Sequence, residues 1–151
     1  MVVQEAALII WPVVPMGLIL GLYELILIHG DMNFRGSHWL GHGLHSVGVM
    51  WVALFIVFNV EYFLTVTGLG AMDIPLISSP LVVRILVGLI LNIKIHASSA
   101  LAKGQLQSRG LAEHWTHTIV VSGLVIAAPY LWPFLEPMIM PMMPSWLGGT
   151  A

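Results

Sequence analysis

No cysteine occurs anywhere in this chain. Disulfides, thiolate metal sites, iron–sulfur clusters and cysteine nucleophiles are thereby excluded. Charge is scarce too. Only 8% of residues are Asp, Glu, Lys or Arg, where a soluble domain carries about a quarter. Five basic residues against seven acidic ones leave a net charge of −2, so no basic surface is available for nucleic acid. No Lys or Arg precedes the first apolar run, which begins near Ala6. A secretory signal wants a positive start and a small-residue cleavage site, so this run reads as a retained span. No spacing matches a metalloenzyme motif such as HExxH, and no nucleophile–base–orienter set can be read around Ser37, Ser46, Ser98 or Ser99. The type of reaction, if there is one, is not encoded in a motif.

What the chain has instead is apolar length. Hydrophobic residues make up 58% of its 151 positions, and mean hydropathy is +0.95. Runs long enough to cross a bilayer place it in the membrane class, with room for about four spans. The expected fold is all-α: one integral-membrane domain, a four-helix transmembrane bundle. Its spans fall at about 6–28, 43–66, 81–98 and 116–135, followed by a Met/Pro-rich tail over 136–151. Pro12 and Pro15 lie in the first turns of span one, and Gly17 and Gly21 form a GxxxG that permits close helix contact. Gly68 to Pro80 reads as a loop. Residues 99–113 are more polar and have room for a short surface helix.

Four spans put the 30–41 and 99–115 connections on one side. These hold Arg35, Lys103 and Arg109, while the opposite side holds only Arg84. The positive-inside rule then makes both connections cytoplasmic and both termini external. Trp39 and Trp115 are expected at one membrane boundary, and Trp11, Tyr62, Tyr130 and Trp132 at the other.

Seven histidines gather at the first of these boundaries, in a pattern that occurs twice. Gly21 to His29 matches Gly88 to His96 at five of nine positions. Each copy is followed by Arg-Gly and then His-Trp: Arg35-Gly36 and His38-Trp39 in the first, Arg109-Gly110 and His114-Trp115 in the second. The connections differ, since His38 follows His29 by 9 residues and His114 follows His96 by 18. Either a two-helix hairpin has been duplicated in parallel, or a biased composition matches itself by coincidence.

His38, His42 and His45 stand at i, i+4 and i+7, and His114 and His117 at i and i+3, so each set shares a helix face. With His29 and His96 they supply imidazole enough for one or two Cu, Fe or Zn ions, or for axial ligation of haem b by His29 and His96. Asp31, Glu113 or Glu24 would complete or orient such a site. The bland alternative for each histidine is an interfacial side chain bonded to headgroups, water or backbone. Glu24 and Lys94 are the intramembrane charges. They read as part of a proton or ion path, or as one buried ion pair fixing helix register, with Lys94 otherwise snorkelling. Glu61 and Arg84 are expected to pair similarly near the far face, in an exposed position. Met138, Met140, Met142 and Met143 offer thioethers for Cu(I), or simply an apolar tail.

Three functions follow. The first is metal- or haem-binding for metal handling or electron transfer, placed first because only it uses both histidine sets. The second is a proton or small-cation channel or transporter. The third is an accessory subunit of a larger membrane complex. The expected partners are the bilayer and either further copies of the chain or other membrane subunits.

Overall fold

The computed structural model describes residues 7–30, 39–72, 74–104 and 115–147, with side chains described except at 28–30, 39, 42, 97–104 and 147. The described residues are helical, without strands: α1 (Val13–Gly30), α2 (Trp39–Phe58), a short α3 (Val60–Val66), α4 (Pro80–Gly104) and α5 (Trp115–Ile139), with 3₁₀ turns at Leu69–Ala71, Met140–Met142 and Ser145–Leu147. Residues 68–72 and 74–79 lie in the expected connection, in which Gly68 supplies a left-handed φ of 71°.

Each long helix has an inward stripe at helical spacing. In α1 it is Val13, Met16, Leu20 and Glu24; in α2, Ser46, Met50, Ala53 and Val57; in α5, Thr118, Val121, Val125, Ala128 and Trp132. α1 packs on α2 and α5, α4 also packs on α2 and α5, and α2 meets α5 across the centre. Trp132 is therefore a core residue, 7% exposed, and not a boundary residue as the aromatic pattern suggested. It continues the inward stripe of α5, whereas Trp11 and Tyr130 are exposed.

The GxxxG works inside the chain. A Cβ at Gly17 would collide with the indole of Trp51, and one at Gly21 would press on Val47 at 3.2 Å. In α4, a Cβ at Gly88 would overlap Ile126 of α5. Each glycine thus lets its helix approach the next long one, and the contact partners run antiparallel in both pairs. Gly17→Ala is expected to cost about 1–3 kcal/mol through overpacking against a rigid ring. Gly48→Ala, with nothing within 4 Å, should be neutral or gain through helix propensity. Thermal unfolding in detergent ranks the two, and equal melting temperatures would refute this packing.

Among the described residues one helical stretch, Trp115–Met142, is long and apolar enough to cross a membrane. It runs through Pro129, Pro133 and Pro137, past the expected end at 135. Their spacing of four confines the lost backbone bonds to one side of the helix. The expected single span over 43–66 is broken: Gly43–Phe58 and Val60–Val66 meet at 66°. α1 is apolar but its Val13–Leu27 stretch is shorter.

The break has its own chemistry. The last carbonyls of a helix lack intrahelical donors. Here Asn59 Nδ2 donates to Phe55 O at 2.8 Å, Asn59 N to Ile56 O at 3.0 Å, and Arg84 Nε to Val57 O at 3.0 Å. Asn59 also holds the N-terminal segment, accepting from Ile9 N at 2.6 Å and donating to Ile9 O at 2.8 Å. Arg84 pairs with Glu61 as expected, at 2.8 and 2.9 Å, but it is buried (7% exposed) while Glu61 stays open to solvent. Its Nη1 donates to the Tyr130 hydroxyl at 3.0 Å, and its guanidinium lies 5.1 Å from the Tyr130 ring centre. Arg84 is buried because α2 ends against it and needs its donor.

Candidate functional site

Glu24 continues the inward stripe of α1, four residues after Leu20. That register drives a carboxylate into the core, where it is 0% exposed. Burying such a group is costly unless it is paired and hydrogen-bonded. The partner is His117 in the first turn of α5: Nε2 lies 2.8 Å from Oε2 of Glu24, with the imidazole 13% exposed. The sequence reading had set Glu24 against Lys94. α1 packs on α5 and α2, and Lys94 stands on an exposed side of α4, beside a groove with Val49, Val52 and Ile90.

The core holds further polar side chains. Ser46 of α2, Asn92 of α4 and Thr118 and Ser122 of α5 are all buried. Thr118 Oγ1 donates to Trp115 O at 3.1 Å. Glu24 Oε1, Ser46 Oγ, Asn92 Nδ2 and Ser122 Oγ have no hydrogen-bond partner among the described residues. The helix registers place them at similar depth. Gly21 faces Val47, next to Ser46, and Gly88 faces Ser122 and Ile126. At 1.5 Å of rise per residue, the four positions then lie within about 8 Å of one another along the helices.

Of the seven histidines, three have described side chains. His117 bonds Glu24, His96 is half-buried with its ring stacked on Trp115 at 3.9 Å between centres, and His45 is exposed on α2. His38 and His114 lie outside the described residues, as do the side chains of His29 and His42, and so do Asp31, Arg35, Arg109 and Glu113. Among the described residues no group of three His, Asp or Glu is placed to hold a metal. His96 and His117 do come to the same end of the α4–α5 pair, since Trp115 touches the first and lies two residues before the second.

The Glu24–His117 pair can share a proton. One form has a carboxylate accepting from an imidazole N–H; the other has a carboxylic acid donating to a neutral ring nitrogen. Sequence reasoning missed the polar layer although its letters were visible. Asn92 sits inside the second histidine pattern, and Ser46 had been weighed only as a nucleophile. Thr118 and Ser122, spaced i, i+4 on the inward stripe of an apolar helix, were the signal available.

No protein-family model matches this chain, and comparison with curated proteins and with solved structures gives no match.

Proposed function

We propose that this is a small multi-pass membrane protein that moves a proton or small cation, with the Glu24–His117 pair as the group that takes it up and releases it. The observation that carries the reading is a fully buried carboxylate, 0% exposed, held 2.8 Å from a histidine between largely apolar helices. Ionisable groups at such places in membrane bundles mark ion pathways and proton relays. The surface supports the setting. Leu18, Leu22 and Ile26 on α1, Leu89, Ile90 and Ile93 on α4, and Ile119 and Phe134 on α5 are all exposed. Soluble monomers rarely expose apolar patches beyond a few hundred Å². Lipid covers this rim in a four-span arrangement. Cytoplasmic 30–41 and 99–115 connections stay part of the proposal, on the count of Arg35, Lys103 and Arg109 against Arg84.

The test is proton flux into liposomes carrying an internal pH dye. Glu24→Gln keeps an acceptor for His117 and removes the charge. Flux should fall at least about tenfold, equivalent to about 1.4 kcal/mol on the barrier, while helix content and melting temperature hold. Unchanged flux in folded Glu24→Gln would end this reading.

A second reading keeps the histidines as ligands for Cu, Fe or Zn, or for haem b. The approach of His96 and His117 at one helix end favours it. The residues fit in part: two imidazoles stand at that end, with further ligands drawn from His29, His38, His42 or His114. Elemental analysis and a visible spectrum of untagged protein decide it, with about one equivalent of metal or a Soret band expected and a metal-free, colourless sample against it. Larger subunits that persist through purification would instead favour the accessory role.

A further inference from the structure

We infer that the species moved is a proton, carried from Glu24 across the bundle by internal water held between Ser46, Ser122 and Asn92. This deepens the proposed function and rests on it. Four polar atoms, one from each long helix, are more than nine-tenths buried at the residue level and lack a partner among the described residues: Glu24 Oε1, Ser46 Oγ, Asn92 Nδ2 and Ser122 Oγ. Each such atom costs stability if nothing meets it. Four of them at similar depth mark a layer that something polar and small fills.

Their chemistry selects the filler. A bare cation needs convergent oxygens. This set offers one carboxylate oxygen, two hydroxyls that donate as well as accept, and one amide N–H group that only donates. The N–H of Asn92 would point positive charge at a cation. Water matches all four, because it donates to the carboxylate and accepts from the amide, and buried water in proteins typically makes about three such bonds. The hydroxyls can pass a proton by accepting one and donating another, which leaves each Ser unchanged. Glu24 therefore has two sides: Oε2 bonds His117, and Oε1 is buried without a partner among the described residues, which leaves it to the water of the layer. A proton arriving at one oxygen can leave from the other.

Two measurements test this. In proteoliposomes with an internal pH dye, wild-type flux should be the same with Na⁺, K⁺ or choline outside, and should fall at least about tenfold, or about 1.4 kcal/mol on the barrier, in Ser46→Ala/Ser122→Ala. Flux that requires Na⁺ would overturn the proton assignment. Flux that survives the double substitution would overturn the relay and leave the Glu24–His117 reading standing. Wild-type protein without any flux would remove both. Melting temperature in detergent is the independent readout. A dry layer predicts that Ser122→Ala raises the melting temperature, because an unmet buried hydroxyl has been removed. A hydrated layer predicts no gain or a loss. A clear rise would sink the inference whatever the flux.

Discussion

His117→Ala is expected to destabilise the protein by about 1–3 kcal/mol or more, the usual cost of leaving a buried polar group without its partner. Glu24 is fully buried and His117 supplies its one hydrogen bond among the described residues, so the truncation leaves a buried carboxyl group without that partner. The cost is asymmetric. Glu24→Leu leaves a histidine that keeps some exposure, 13%, and places a well-sized apolar side chain where the stripe of α1 is already apolar. It should cost far less, and the double variant Glu24→Leu/His117→Ala should recover most of the loss. Reversible unfolding of the four proteins of this cycle gives the coupling energy directly. Additive losses, or Glu24→Leu being the worse of the two, would show that the pair is not the unit described here. The cycle also separates stability from transport. Glu24→Leu should fold and carry nothing.

That pair shows where a sequence runs out. The depth of Glu24 in its helix was legible, and so was its register among apolar neighbours. Its partner was not, because depth alone leaves open which helices touch. Lys94 lies at a compatible depth, but α1 packs on α2 and α5, and so His117 takes the place. The same limit applies to Trp132. Aromatics near a helix end suggest a boundary, and only packing shows that the inward stripe of α5 runs on through it. Helix type and rough extent followed from apolar run length, including the loop over 68–80. Proline and asparagine then acted against their usual weights. Three prolines in α5 leave the helix continuous, while the break in the second apolar run falls at Asn59, where neither glycine nor proline stands. A single amide within Phe55 to Leu64 is a weak signal. Its meaning lies in contacts 50 residues away in the chain.

Those contacts lead to the second large effect. Asn59→Ala is expected to cost about 3 kcal/mol or more, because it strands three backbone groups at once, at about 1–3 kcal/mol for each group left unmet. Asn59 is 1% exposed, and every polar atom of its side chain is used: Oδ1 takes the Ile9 N–H, and Nδ2 gives one hydrogen to Ile9 O and one to Phe55 O. Ile9 is itself exposed and a pocket opens beside Asn59, so water can meet part of the Ile9 backbone and the loss per group sits at the low end of that range. Asn59→Asp makes the argument sharper. It keeps shape and volume and still accepts from Ile9 N, but it turns a carboxylate toward two carbonyl oxygens. It should therefore be at least as damaging as alanine, although it is the more conservative change. A second readout locates the damage. Residue 9 is tied to the bend through this side chain, and the segment is joined to the start of α1 by Val13 N donating to Ile10 O at 3.0 Å. Amide exchange at Ile9 should speed up by two orders of magnitude or more in both variants, as about 3 kcal/mol of local protection is lost. Amides on the buried stripe of α5 should change only as far as global stability does. Wild-type exchange at Ile9 in the variants would mean that the segment is held by its apolar contacts and not by Asn59.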